Sequence, residues 1–235
     1  PAPMNARSVP SPAEVFPDFL RDDTPTTARD ETRCRLLRAA IDVFAHHGYH
    51  GASTREICEL AGANTAAIHY HFRDKAGLYR ELFRLPIEWM ADASRPMTDP
   101  QLPLLERLAH FYRGMLSVLS RDSRLRQLAL LHAREEVEPS GVLGDCHTQA
   151  IRIHHDRMLH LLLPEFGLQA ADEALHGLAF AVGGVALVYF MARPAVEAFA
   201  PGLTATPESR ELLVQRCAIY GQALIHAERE RRKTA

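Results

Sequence analysis

An all-α fold is the first expectation from this sequence, for three reasons. Apolar residues recur every three or four positions along most of the chain, which is the period of an amphipathic helix. No segment alternates convincingly between apolar and polar residues, as a half-buried strand would. Glycine and proline fall between the periodic segments, where helices begin and end. We therefore expect about nine helices and no sheet.

The composition limits the class of protein. At 235 residues, the chain is long enough for two small domains with a hydrophobic core. Its formal net charge of −2 at pH 7 argues against a histone-like condenser of DNA. Four separated cysteines without a CxxC pair indicate reduced thiols. Neither a signal peptide nor an apolar run as long as a membrane span is evident, so we expect a cytoplasmic protein with no membrane partner.

The chain begins with an arm and a first helix. Residues 1–25 contain six prolines and no helical period, which indicates a disordered or extended arm. Residues 33–48 carry an apolar face that includes Leu37, Ile41 and Phe44, so they are expected to form a helix that ends at a glycine.

A helix-turn-helix is predicted to follow the first helix. Thr54 occupies the position of an N-cap, and Leu60 belongs to the apolar face of the helix that it opens. Gly62 ends this helix, because glycine tolerates the left-handed conformation of a C-cap. Asn64 or Thr65 caps the next helix. Two helices joined by a short turn that contains glycine form the motif whose second helix enters the major groove of DNA.

Three segments carry a family resemblance: AAIDVFAHHGYHGAST, EICELAGAN and AIHYHFRDKAGLYRELF, all within residues 39–83. In this order and spacing they resemble the N-terminal domain of the TetR family of bacterial one-component repressors. Residues 128–143, LALLHAREEVEPSGVL, are similar to the CecR-like branch of that family. Residues 67–70 depart from the Gly-x-Leu-Tyr that the family often has there, which leaves the operator sequence open. The resemblance implies a DNA-binding domain at 26–84 and a ligand-binding and dimerisation domain at 85–235.

The predicted DNA contacts fall into two groups. Helix N-termini and basic or phenolic side chains hold phosphates, whereas groove-facing side chains read base edges. The phosphate candidates are Thr54, Tyr70, His71 and Lys75. The base-edge candidates are Thr65, Ala66, Ala67 and His69. We expect Phe72 to pack in the core of the small domain, and the same role is the alternative for the ring of Tyr70.

Six further helices are predicted, at residues 75–93, 103–119, 125–137, 145–163, 170–192 and 207–232. The resemblance implies that helices in this half enclose an effector pocket, and such pockets are mostly apolar with a few polar groups. The candidate lining residues are Trp89, Phe111, Tyr112, Met115, Leu128, His132, Glu135, His154, Met158 and Tyr189.

The last two long helices are the predicted dimer interface. The resemblance implies that they form a four-helix bundle with the same helices of a second copy. The predicted contact residues are Leu175, Leu178, Val182, Gly183, Ala186, Leu213, Cys217 and Tyr220. The alternative is that both apolar stripes close the core of a single chain.

Two other functions remain open as alternatives. His132 stands one helical turn from Glu135 and Glu136, a spacing that suits Zn, Ni or Cu, so a metal-responsive regulator on the same scaffold is one alternative. A helical enzyme or small-molecule carrier is the other, although no GxSxG, P-loop, GxGxxG or HExxH pattern is present. We predict no metal, cofactor or catalytic residue.

The function predicted from these observations is that of a ligand-responsive, TetR-type transcriptional repressor. The protein would bind a palindromic double-stranded DNA operator as a homodimer, because a two-fold reader needs two recognition helices one helical turn apart. A small hydrophobic or aromatic effector would release it.

Overall fold

A computed structural model describes residues 28–93, 95–119 and 123–234 of the chain. These residues form ten α-helices and no strand, which confirms the predicted all-α fold. The proline-rich segment 1–25, predicted to be an extended or disordered arm, and the side chain of Trp89, a predicted pocket residue, lie outside the described residues.

The helices are numbered in chain order. The first four are α1 (Ala28–Gly51), α2 (Thr54–Ala61), α3 (Thr65–Phe72) and α4 (Lys75–Ala93). The next four are α5 (Leu104–Leu116), α6 (Ser123–Val137), α7 (Asp145–Phe166) and α8 (Glu173–Met191). The last two are α9 (Arg193–Phe199) and α10 (Pro207–Thr234). Short 3-10 turns lie at Arg95–Thr98, Ser117–Leu119 and Pro201–Leu203. The short helix α9 was not anticipated from the sequence.

Local side chains set the ends of the helix-turn-helix. Ser53 caps α2, because its hydroxyl group accepts a 3.2 Å hydrogen bond from a backbone N–H of the first turn. The predicted cap, Thr54, is instead the first helical residue, so that assignment is corrected by one position. Gly62 ends α2 in the left-handed conformation, as predicted, with φ 59° and ψ 39°. Asn64, one of the two predicted caps of α3, accepts a 3.0 Å hydrogen bond from the backbone N–H of Ala67.

One hydrophobic cluster joins the first four helices with α6. Side chains that fill the small N-terminal core include Phe44, Ile57, Ile68 and Phe72. Leucines of α6 and of the turn after it complete the same cluster: Leu125, Leu128, Leu131 and Leu143. The core of the N-terminal helices therefore continues into α6.

The helical period predicts that Leu60 lies on the buried face of α2, but the structure places it outside that face. Its side chain is 59% exposed. The buried face of this short helix is centred on Ile57, Cys58 and Ala61, and Leu60 lies to one side of them.

A second hydrophobic cluster joins α5, α7, α8 and α10. Tyr112 of α5 is fully buried in it, and its hydroxyl group donates a 2.8 Å hydrogen bond to the carbonyl oxygen of Val182 in α8. Gly221 of α10 lies against the same ring, since a Cβ there would stand 2.6 Å from the Tyr112 hydroxyl oxygen. A glycine at this position lets α10 approach α5 closely.

Helix α8 is apolar on almost every side. Among the described residues it alone is long and apolar enough to cross a membrane by length and composition. This finding corrects the expectation that no apolar run approaches that length. Only 28% of its apolar stretch is buried inside the chain. A bundle helix that is covered by protein on two sides has the same composition.

Most of the predicted interface residues on α8 and α10 are internal. Six of them are buried in the second cluster: Leu175, Leu178, Val182, Ala186, Leu213 and Cys217. These side chains close the core of a single chain, so their assignment to a dimer surface is corrected. Tyr220 is 49% exposed and Gly183 is partly exposed.

Candidate nucleic-acid interface

Helix α3 presents one continuous face to solvent. Its exposed residues are Thr65, Ala66, His69 and Tyr70, with Ala67 and His71 partly buried. Ile68 and Phe72 point the other way and are buried in the N-terminal core. Seven of the eight predicted DNA contacts therefore lie at or beside this helix, if Lys75 at the start of α4 is included. Thr54, the eighth, is partly exposed at the start of α2.

The ring of Tyr70 is exposed, although packing was the alternative for it. It is 66% accessible, and its ring meets that of His71 edge-on with 4.9 Å between the ring centres. The helical period places Tyr70 one residue from His69 on the outer face, so a hydroxyl donor and an imidazole are offered side by side. Such groups hydrogen-bond phosphates or base edges.

Lys75 is held at the edge of this face by the end of α1. Its Nζ lies 4.6 Å from the ring centre of Tyr49 and 3.5 Å from the backbone oxygen of His50. Partial burial lowers the pKa of the Lys75 ammonium group from its usual value. The contact with Tyr49 is a cation–π interaction that orients the ammonium group without neutralising it. Tyr49 is a positioning residue that the sequence pattern did not single out.

Gly77 fixes the distance between α3 and α4. A Cβ at this position would lie 1.9 Å from the carbonyl oxygen of Phe72, the last residue of α3. The backbone N–H of Gly77 also donates a 2.6 Å hydrogen bond to Asp74, which caps the start of α4. Between these helices, Arg73 has φ 72°, which non-glycine residues seldom adopt. The turn is therefore tight, and it holds Lys75 beside α3.

The predicted effector residues divide between the two hydrophobic clusters. Leu128, His132 and Glu135 of α6 lie next to the N-terminal helices. The ring centre of His132 is 4.3 Å from that of Phe83 in α4. The predicted effector residues that belong to the second cluster are Phe111, Tyr112, Met115, Met158 and Tyr189. The structure therefore does not bring all the predicted lining residues to one place.

Tyr79 and Glu135 join α4 to α6 through a buried hydrogen bond. The Tyr79 hydroxyl group donates to Glu135 Oε1 at 2.7 Å, and the other oxygen of Glu135 accepts the backbone N–H of Ser140 at 3.0 Å. Burial, followed by the bond to Glu135, raises the pKa of Tyr79, so the phenol stays a neutral donor. In the same region, Arg80 Nε donates to the backbone oxygen of Val142 at 3.1 Å. The end of α6 and the turn after it are therefore fastened to α4.

The histidine and one carboxylate of α6 are engaged in other contacts. Both oxygens of Glu135 bond Tyr79 and Ser140, and His132 packs on Phe83. Across the side chains that the structure describes, no group of three or more His, Cys, Asp or Glu residues could hold a metal ion.

His154 is an interior imidazole of α7. Burial, and to a lesser degree the nearby Arg157, lowers its pKa to about 4, so it is uncharged at neutral pH. Its side chain still retains partial accessibility. A neutral imidazole can both donate and accept a hydrogen bond.

The exposed sides of α8 and α10 carry large apolar side chains, and we call these two sides together the C-terminal face. Its large side chains are Phe180, Leu187, Val188, Met191, Leu212, Ile219 and Tyr220, all between 48% and 64% exposed. Gly177 and Gly184, both exposed on the same side of α8, have no other side chain within 4 Å of a would-be Cβ. In the sequence, this face is indicated by the apolar character of α8 on all sides. A helix of that kind is expected to be covered by protein on the side toward the core and on the opposite side.

Comparison with protein families gives two matches along the chain. Residues 36–82 match a family described as bacterial regulatory proteins, tetR family. Residues 104–227 match the C-terminal domain of the HTH-type transcriptional dual regulator CecR. The second match alone covers more than half of the chain.

Individual relatives point the same way. The chain is 26% identical over 212 residues to the dual regulator CecR of Shigella flexneri, with 84% of this chain and 92% of that protein covered. It is 29% identical over 134 residues to the transcriptional regulator AcrR of Shigella flexneri, with 54% and 61% covered.

Solved structures share the fold. SmeT in complex with triclosan superposes with a TM-score of 0.61 at 19% identity, covering 84% of this chain and 90% of that one. A TetR-like transcriptional regulator from Rhodococcus sp. RHA1 gives 0.57 at 20% identity, covering 85% and 98%.

Proposed function

We propose that this chain, which belongs to the CecR branch of the TetR family of DNA-binding transcriptional regulators, is a homodimeric repressor that a small apolar effector releases from its operator. Its relatives are regulators and not enzymes. A regulator of chromosomal genes would act in the bacterial cytoplasm.

The observation that carries the DNA-binding proposal is the outer face of α3. Thr65 and His69 offer hydrogen-bonding groups, and Ala66 admits close approach to base edges. Tyr70 and Lys75 flank them with a phenol and an ammonium group, which suit phosphate oxygens. We propose that α3 enters the major groove, with Thr54 and His71 at its phosphate-lined edges.

We propose that the C-terminal face is the dimer interface. A large apolar patch on a soluble protein marks a surface that is covered by a partner. The patch follows two neighbouring helices, and the exposed Gly184 leaves room for a close helix approach. A palindromic operator requires two copies of α3 related by a two-fold axis, and a two-fold dimer through this face supplies that relation.

The proposed response to an effector relies on the fastening between α4 and α6. An effector shifts DNA binding only through unequal affinity for two arrangements of the protein. Because α6 shares its core with α1–α4, and Glu135 bonds Tyr79, a movement of α6 changes the position of α4. We therefore propose that 26–84 and 85–235 are functional domains that meet at α6.

The effector we propose is small, uncharged and aromatic or hydrophobic. The candidate residues of the second cluster are largely apolar, among them Phe111, Met115 and Met158, and His154 nearby on α7 is neutral. SmeT, which has the same fold, binds the aromatic compound triclosan, and this supports an effector of that class.

Selection from a random double-stranded DNA library tests this function. Purified protein should enrich one palindromic sequence at physiological salt, and the bound complex should contain two protomers. A library selected with a His69→Ala variant should lose that preference, whereas an Arg152→Ala variant, altered on the exposed side of α7, should keep it. Failure of the folded protein to enrich any sequence would refute the proposed function.

A further inference from the structure

Arg107 lies in the first turn of α5 with only 6% of its surface exposed. Its Nε donates a 3.1 Å hydrogen bond to the backbone oxygen of Met97, in the 3-10 turn that follows α4. One terminal nitrogen donates to the backbone oxygen of Leu161 at 3.3 Å, and the other contacts Glu165 Oε1 at 3.1 Å. One guanidinium group therefore ties the connector between α4 and α5 to helix α7.

Glu165 extends these contacts to α10. Arg229 of α10 donates to Glu165 Oε2 and to its backbone oxygen, both at 3.0 Å. A continuous path of polar contacts thus runs from Met97, beyond the end of α4, through Arg107 and Glu165 to Arg229. Its first member belongs to the connector that leads out of the DNA-binding helices, and its last belongs to a helix of the C-terminal face.

Stability alone explains this arrangement poorly. Burying a guanidinium group costs desolvation free energy, and well-packed apolar residues often replace a buried ion pair with no loss of stability. A cation in the first turn also opposes the helix dipole of α5. A planar guanidinium group makes directional contacts, because its N–H donors form a rigid fork that bonds acceptors only at fixed angles.

We propose that Arg107 is a positioning residue that fixes how α4 leaves the C-terminal helices, and thereby the separation of the two recognition helices on DNA. This inference rests on the proposed dimeric binding to a palindrome. Met97 lies four residues beyond the last residue of α4, is only 1% exposed, and is held there by Arg107. In a two-fold dimer, the same angle acts in both protomers, so a loosened connector widens the range of half-site separations that the dimer fits.

The experiment measures how the affinity for DNA depends on the spacing between the two half-sites of the operator. Affinities of the full-length protein are determined by fluorescence anisotropy for the selected palindrome and for versions with one or two base pairs added or removed at its centre. Each base pair rotates one half-site by roughly 35° about the DNA axis, so a rigid dimer should discriminate strongly. The wild-type protein is expected to bind the altered spacings at least about tenfold more weakly than the selected one.

Arg107→Met is the test variant and Arg113→Met is its matched control. Arg113 lies six residues further along the same helix and makes a two-pronged contact with Glu211 of α10, at 2.7 and 3.1 Å, rather than with the connector. Arg107→Met should flatten the spacing profile to less than about threefold, and Arg113→Met should leave the profile unchanged.

The outcomes separate this inference from the function on which it rests. A wild-type protein without a preferred palindrome contradicts the proposed function. If the wild type has a sharp profile and Arg107→Met, as a folded dimer of normal helicity, has the same profile, then Arg107 does not have the proposed role. Arg107→Lys, which keeps the charge but loses the planar fork of donors, is the second test variant should Arg107→Met fail to fold. It should also flatten the profile, and a sharp profile in that variant overturns the inference.

Discussion

Replacing Gly77 by alanine should disturb the junction of α3 and α4 more than any other glycine substitution in the DNA-binding helices. The new Cβ would stand 1.9 Å from the carbonyl oxygen of Phe72, and contacts under 3.0 Å are essentially never seen. The two helices must therefore separate by at least 3.0 − 1.9 = 1.1 Å at this point. Overpacking of this kind costs about 1–3 kcal/mol, which corresponds to a fall of roughly 3–10 °C in Tm for a chain of this length.

The separation should also weaken DNA binding, because Lys75 lies two residues before Gly77 and beside α3. Thermal unfolding followed by circular dichroism gives the first readout, and operator affinity at a temperature where the variant is folded gives the second. Gly114→Ala is the matched control. Gly114 lies inside α5 with no atom within 4 Å of a new Cβ, so alanine there should gain about 0.5–1 kcal/mol from helix propensity. Equal stability and equal operator affinity for Gly77→Ala and the wild type would refute this account of the junction.

Three further predictions follow from other contacts. Tyr79→Phe should lower the free energy of unfolding by about 1–3 kcal/mol, because it removes a hydrogen-bond donor from a buried carboxyl group. In a double-mutant cycle with Glu135→Leu, measured by urea unfolding, the two substitutions should be coupled, and additive effects on stability would contradict the hydrogen bond. Gly184→Leu should raise the dimer dissociation constant at least about tenfold in sedimentation equilibrium, whereas Gln149→Leu on α7 should not. An unchanged dissociation constant for Gly184→Leu would show that the C-terminal face is not the dimer interface. The unfolded chain takes up a proton at His154 near pH 6.5 but the folded chain only near pH 4, so wild-type stability should fall by about 1–3 kcal/mol more than that of His154→Leu as pH drops through this window. Parallel pH profiles of the two proteins would show that the imidazole is not buried.

The sequence predicted the helix-turn-helix well, because its signals are local. Gly62 and Asn64 define the turn through their own backbone and side-chain chemistry, whatever the rest of the chain does. The cap of α2 was misplaced by one residue because two adjacent hydroxyl residues, Ser53 and Thr54, can both serve, and only the backbone conformation distinguishes them.

Contacts between distant parts of the chain could not be predicted in the same way. Tyr79 and Glu135 are 56 residues apart, and nothing in either local pattern indicates the other, so Glu135 was assigned to an effector pocket. On α8, apolar residues surround the helix, and a period of 3.6 residues cannot then distinguish the face toward the core from the face toward a partner. The buried stripe, with Val182 at its centre, was consequently assigned to the interface.

A titration of four proteins tests whether the outer face of α3 reads DNA sequence. The wild type and the His69→Ala, Lys75→Ala and Arg152→Ala variants are titrated with the selected operator and with unrelated DNA over a range of salt concentrations. His69→Ala is expected to lose affinity for the operator alone, by about 1–3 kcal/mol. Lys75→Ala should weaken binding to both DNAs and reduce the salt slope by about 1, while Arg152→Ala should match the wild type. If His69→Ala and Lys75→Ala also matched the wild type on both DNAs, α3 would not be the reading element.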